Sequence, residues 1–413
     1  MLLMLPFAVL LVAIALAPII FKHHWERHYH RVCFVLAAIV CGYYVFVLNA
    51  GSRVLHAGFE YFSFMVVVGS FFVVSGGIHL RPKSRARPST NVLFLFLGAL
   101  LANVIGTIGA SMLLIRPWIH MNKTRFSGFH LAFFIFVVSN VGGALLPVGP
   151  PLFLGYLKGV PFAWPLLRCG PHWLVTLGLL LSIFYLGDLI NFRAARIPNA
   201  EDPDESQRWH CSGQRNFFFM SSLLLALIGL PPIWREAVMI VVAIISFRAT
   251  PMRIHQANAF SFAPIREVGW LFLGIFGTMI PVLDYAELHA ADLGLHSDLQ
   301  FFWATGILSA LLDNAPTYLT FFAAALGLHG LDMNNAAQVS EFIARHDHYL
   351  VAISLGATFF GALTYIGNGP NLLVKAIAEN TKVPTPGFFG YIFKYAIPVL
   401  LPIFALISLL FFR

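Results

Sequence analysis

Charge is what this chain has least of. Of its 413 residues only 11% are charged, against 59% hydrophobic, and the mean hydropathy is +0.79. A soluble globular domain carries about 25% charge, so that class is excluded. The formal charge of +8 does not point to nucleic acid. No soluble segment pairs aromatic with basic residues, and Lys and Arg gather on the cytoplasmic loops of membrane proteins in any case. Cysteine is scarce as well. Cys33, Cys41, Cys169 and Cys211 form no CxxC and no regular framework, so neither zinc nor structural disulfides are indicated. HExxH and serine–histidine motifs are absent. Tyr185-Leu186-Gly187-Asp188 lacks the first glycine of the Gly-x-Gly-Asp signature of intramembrane aspartyl proteases. An enzyme is not expected.

What the chain does have is apolar runs, at 2–20, 32–50, 59–80, 91–115, 129–153, 166–186, 216–230, 233–247, 267–283, 300–328, 349–378 and 393–411. Runs of about 20 such residues are long enough to cross a bilayer. Leu2 to Ile20 lacks a basic n-region and is followed by Lys22. It reads as an uncleaved first helix with its N-terminus outside, not as a signal peptide. His23 to His30 reads as a solvated cytoplasmic turn.

Simple alternation of loops fails at two places. Segment 91–115 is flanked by Arg81, Lys83, Arg85 and Arg87 and then by Arg116, Lys123 and Arg125, so both flanks should be cytoplasmic. Segment 300–328 lies between Asp284, Glu287, Asp292 and Asp298 and then Asp332, Glu341 and Asp347, and both flanks look external. Reading the two segments as re-entrant hairpins repairs both faults. Such backbone is tolerated only inside protein or beside a watery cavity. With that repair twenty Lys and Arg fall inside, and Arg53, Lys158, Arg168, Arg235, Arg345 and Arg413 remain outside.

The two halves also read alike. Leu100-Leu101-Ala102-Asn103 recurs as Leu311-Leu312-Asp313-Asn314, and Gly143-Ala144-Leu145-x-x-Val148-Gly149 as Gly361-Ala362-Leu363-x-x-Ile366-Gly367. Paired interruptions in two hydrophobic halves point to the substrate site of a secondary transporter. The expected fold is an all-α polytopic membrane protein. It has about ten transmembrane helices and two re-entrant hairpins, in two inverted-topology repeats with broken helices. Residues 1–58 would form the first helices, and 59–186 the first repeat with hairpin 91–115 and broken helix 129–153. A polar cytoplasmic linker would occupy 187–215, with Asp202-Pro203-Asp204-Glu205 at its centre, and a short helical pair 216–247. The second repeat would span 248–413, with hairpin 300–328 and broken helix 349–378. A helix starting at 129 would carry Pro147 about 27 Å along its axis, beyond the midplane unless it starts low or tilts.

Four motifs should converge: Asn103 to Thr107, Pro147 to Pro151, Asp313 to Thr317, and Gly367 to Asn371. Unwound Gly/Pro backbone and Asn, Thr and Asp side chains supply oxygens suited to a hard cation. The candidate cation- or substrate-binding residues are Asn103, Thr107, Asn140, Gly149, Asn314, Thr317, Asn368 and Asn371. Asp313 is the one carboxylate this layout sets near mid-membrane, where an unpaired charge is costly. It would hold a proton or a metal ion in turn. The plainer role is an N-cap for the second hairpin arm. Arg116, His130 and Lys375 flank the breaks and read as interfacial cations.

Ser139-Asn140-Val141-Gly142-Gly143, Pro151 to Gly155, Leu312 to Thr317 and Tyr365 to Asn371 resemble the ion transporter superfamily. Within it they resemble the bacterial branch of sodium:proton antiporters and citrate-transporter-like carriers. The resemblance runs from about residue 59 to the end. One departure stands out: relatives carry Gly-Asp-Pro-Pro in the first break, where this chain has Gly149-Pro150-Pro151. The resemblance implies a bacterial inner-membrane carrier with no cofactor, moving Na⁺ and H⁺ in exchange. The alternative is symport of citrate or a related carboxylate. The four motifs hold no Arg or Lys to receive a di- or tricarboxylate, which favours exchange. Expected partners are the lipid bilayer and a small cation or carboxylate, with no nucleic acid; a homodimer is compatible.

Overall fold

The computed structural model describes residues 2–81, 87–194 and 210–412, nearly all of them helical. Helices α1 (Leu5–Ile20), α2 (Lys22–Phe46) and α3 (Gly51–Gly76) come first, followed by α4 (Pro88–Met121). Helix α5 (Gly128–Phe134) continues through a π turn to Asn140 and a 3-10 turn to Gly143; the chain then opens before α6 (Pro150–Leu157). Helix α7 (Trp164–Ala194) closes the first half. Helices α8 (Arg215–Gly229), α9 (Trp234–Ala249), α10 (Met252–Ala257) and α11 (Ala263–Leu288) lead to the second, which holds α12 (Asp298–Leu311), α13 (Asn314–Gly327) and α14 (Ala336–Phe360). After another opening come α15 (Gly369–Asn380) and α16 (Phe388–Tyr391), the latter running through a π turn into α17 (Ile397–Phe411). Six helices among the described residues are long and apolar enough to cross a membrane.

One of those six folds back on itself. A straight helix of the 34 residues in α4 would hold its ends about 50 Å apart. Instead Asn91 and Asn122 exchange side-chain hydrogen bonds at 2.8 and 3.1 Å, and Phe94 stacks on Trp118. Both pairs centre on Gly106, whose φ of 74° suits glycine and strains other residues. Helices α12 and α13 form the second hairpin, with Phe301 against Phe321. Its turn is the extended pair Leu312 and Asp313. A capping box of Ser297 and Gln300 starts α12, and Pro316 sits in the first turn of α13, where its missing N–H costs nothing.

The second piece of each broken helix leaves its own hairpin and packs on the other one: α6 lies against α13, and α15 against α4. In each half an aromatic side chain thirty residues past the matching glycine binds a carbonyl at the break. Trp173 Nε1 donates to Val141 O at 2.8 Å, and Tyr391 Oη to Ala362 O at 2.6 Å. Around this core α1, α2, α3, α8, α9 and α11 pack on one another as a second group, meeting the first where α3 touches α4 and α6 and where α11 touches α13.

Several expected boundaries move. The first hairpin extends from 91–115 to Pro88–Met121, and the broken helices extend from 129–153 and 349–378 to Gly128–Leu157 and Ala336–Asn380. Residue 58 falls inside α3, which starts at Gly51. The His23–His30 run belongs to α2, where His24 and His28 stack one turn apart; only Phe21 separates α1 from α2. The linker 187–215 is shorter at both ends. Helix α7 carries on to Ala194, and His210–Ser212 pairs antiparallel with His79–Arg81 beyond α3. Asp202-Pro203-Asp204-Glu205 lies outside the described residues. The first opening begins after Gly143, not at Pro147. Helix, π turn and 3-10 turn together then cover about 24 Å at 1.5 Å per residue, slightly less than the path to Pro147.

Candidate functional site

The two breaks are tied together by three amides. Asn140 ends the π turn, a wider coil that is frequent at functional sites. Its Nδ2 donates to Ile135 O at 2.9 Å and across to Asn371 Oδ1 at 2.8 Å. Its Oδ1 accepts from Asn368 Nδ2 at 3.0 Å, and the same nitrogen reaches Ser139 O at 2.9 Å. Asn371 Nδ2 in turn holds Gly361 O and Thr364 O at 2.8 and 2.9 Å. All three amides are buried, so each bond is one the site cannot trade for water. A Cβ on Gly361 would come within 3.0 Å of Asn140 Oδ1, which explains glycine there.

The hairpin tips complete the surroundings. Asn103 Oδ1 accepts from Leu145 N at 2.8 Å, fixing the first hairpin to the first break. The Val148 carbonyl lies over Gly106, 3.3 Å from where a Cβ would stand. Thr107 is buried, and its hydroxyl has no hydrogen-bond partner. Gly149 serves as the N-cap of α6, with its carbonyl taken by Phe153 N at 3.0 Å. At the second tip Asp313 Oδ1 accepts from Ala315 N at 3.0 Å, the expected capping geometry. The Thr317 hydroxyl is spent on Asp313 O at 2.9 Å. Asn314 is buried with Oδ1 unpartnered. The structure therefore joins Asn140, Asn368 and Asn371 directly. Among the described residues no hydrogen bond links Asp313, Asn314 or Thr317 to that knot.

Asp313 has company among the carboxylates enclosed by the helices. Glu60, Asp188 and Glu236 are all more deeply buried. Each of those three has a cation. Asp188 is held by Arg125 through both carboxylate oxygens, by His130 Nε2 at 3.0 Å and by Asn91 Nδ2 at 2.8 Å. Glu236 pairs with the neighbouring Arg235 and accepts from Ser63 at 2.8 Å. Glu60 meets Lys158 at 2.6 Å. Among the described residues half-buried Asp313 has no ion pair, and its carboxylate accepts from the Ala315 N–H. Sequence reasoning missed Glu60 and Asp188 because their cations lie far away in the chain, and it passed over Glu236 although Arg235 stands next to it. The signal available was a matching cation for each acid in the apolar runs.

The flanking cations are also placed. Lys375 pairs with Glu379 at 3.3 Å and stands over the Tyr365 ring. His130 is enclosed in the Asp188 cluster and bonds Ser127 Oγ at 3.0 Å. Arg116 lines a crevice between α4 and α3. None of the three belongs to the amide knot.

No curated protein matches the chain. The model of a family described as "Putative citrate transport" matches residues 1–412. With its membrane-length helices, this multi-pass membrane protein belongs to that family of secondary transporters, within the citrate-transporter branch of the ion transporter superfamily.

Proposed function

We propose that the protein exchanges Na⁺ for H⁺ by alternating access, with Asp313 carrying the proton and the cation in turn. The observation behind this is the contrast among acids. Three buried carboxylates are neutralised by Arg, His or Lys, whereas Asp313 sits at a hairpin tip with one backbone N–H. A carboxylate without a fixed counter-ion at membrane depth takes up a mobile one. Two buried oxygens without partners, Thr107 Oγ1 and Asn314 Oδ1, stand one at each tip, and an unpaired buried polar atom in a native fold calls for a ligand or a functional reason. Oxygen donors of this kind suit sodium.

In this reading ten segments span the bilayer, and the hairpins enter from opposite faces as parts of two inverted repeats. The folded-back α4 and the α12–α13 pair support it, as does the excess of Lys and Arg on one set of loops. The group containing both hairpins and both broken helices would move against the other, carrying the site between faces.

The test uses everted vesicles holding a pH dye. Na⁺ or Li⁺ should dissipate the proton gradient, and Asp313→Asn should abolish that response while the protein stays inserted. Asn caps a helix as well as Asp does, so loss of exchange in this variant would come from the charge and not from the cap. The family description supports a second reading, symport of citrate or a related carboxylate with Na⁺ or H⁺. Labelled citrate uptake without cation-driven proton movement would favour it over exchange.

A further inference from the structure

Helix α3 runs along the boundary between the two helix groups, and its ends are held differently. In its first half Glu60, 7% exposed, meets Lys158 Nζ at 2.6 Å; Lys158 is likewise 7% exposed. Lys158 is the C-cap of α6, the second piece of the first broken helix. The same ammonium donates to Asn334 Oδ1 at 3.0 Å in the connection between α13 and α14. His56 Nε2 lies 3.2 Å from the same carboxylate oxygen. Two more contacts grip α6 from this side. The Arg235 guanidinium stands 5.6 Å from the centre of the Tyr156 ring, and the Tyr156 hydroxyl donates to Leu227 O at 3.1 Å. At the other end of α3, Ser75 and Gly76 face Met112 and Arg116 of α4 across a narrow crevice. No ion pair crosses there among the described residues.

A buried Lys–Glu pair is poor value as simple stabilisation, because removing both charges from water offsets most of their attraction; its best-attested use is to fix a register or a switch. This pair joins one helix of the outer group to the end of a broken helix, and among the described residues no such ion pair holds α15, whose Lys375 pairs within its own helix. We propose that Glu60–Lys158 is an ionic latch between the two groups, closed in this conformation, that opens when α6 moves past α3. The proposal rests on the alternating-access reading, and it assigns the latch to the face that the charge distribution marks as external.

The test replaces the four cysteines by serine and adds a single reporter, Ser63→Cys, one turn further along α3 and buried beside Glu236. Its reaction with a membrane-impermeant maleimide is followed in whole cells. Glu60→Gln should speed labelling by about tenfold or more, since it leaves the lysine without its partner. The exchanged pair, Glu60→Lys with Lys158→Glu, should return the rate to near that of the parent. An unchanged labelling rate in Glu60→Gln would overturn the latch, whatever the cargo. In a second variant Glu60→Cys and Lys158→Cys are bridged by a short bis-methanethiosulfonate. Bridging should stop movement of ²²Na⁺ and of labelled citrate, and a reductant should restore it. Transport at full rate in the bridged protein also overturns the latch. A protein that moves neither cargo before bridging counts against the functional reading instead, and the labelling rates still decide the latch.

Discussion

The two hairpins carry the same Leu-Leu-x-Asn motif yet turn at different points in it. In the first, nothing interrupts the helix at Ala102-Asn103, so it continues to Gly106 and turns where glycine accepts φ of 74°. In the second, Pro316 must lie in a first turn, and Asp313 caps the helix that contains it. The turn therefore comes before Asn314. The two asparagines end up on opposite arms: Asn103 comes before its turn and is bonded to Leu145 N, while Asn314 follows its turn with Oδ1 free of partners. The breaks differ in the same sense. The second supplies Asn368 and Asn371, whereas the first supplies Asn140, carbonyls and a Pro-Pro start. Similar motifs have thus been fastened at different points, with one buried oxygen left without a partner at each tip, Thr107 Oγ1 and Asn314 Oδ1.

That contrast can be attacked from either side. The largest effect is expected from Asp313→Asn, which should abolish cation-driven proton movement in vesicles while protein levels stay normal. Next comes Asp188→Asn, which takes the carboxylate away from buried Arg125 and His130. A loss of about 3–5 kcal/mol is expected, read as a large fall in thermal midpoint in detergent. Asn140→Ala removes the centre of the knot and strands acceptors and donors of two other amides, a cost of about 2–3 kcal/mol, visible in the same melt. Gly106→Ala forces a Cβ onto backbone of positive φ that is essentially glycine-only and should cost about 1–3 kcal/mol. If Gly106→Ala melted like the parent, the first hairpin would not turn at that residue.

Much of this was readable in the sequence. Basic residues on both flanks of 91–115 and acidic residues on both flanks of 300–328 announced segments that fold back on themselves. Pro and Gly marked the breaks, and Asn140, Asn368 and Asn371 were singled out before their contacts were known. Other features were hidden for physical reasons. The position of a helical turn depends on which residue tolerates positive φ, and motif matching does not register that. Asp188 looked like part of a polar linker because Arg125, His130 and Asn91, which bury it, come 63, 58 and 97 residues earlier. Glu60 hid in an apolar run for the same reason, its lysine lying on a different helix. The histidine run looked like a turn by composition, although its i,i+4 spacing is equally a helical stripe.

The amide knot also imposes an order on biogenesis. Asn140 leaves the ribosome 228 residues ahead of Asn368 and 231 ahead of Asn371. The first half must therefore enter the bilayer with its interruption incomplete and keep it so until the final quarter of the polypeptide arrives. A chain truncated anywhere in between would present unsealed backbone to membrane quality-control proteases, while its later companion, supplied as a separate fragment, carries the groups needed to close it.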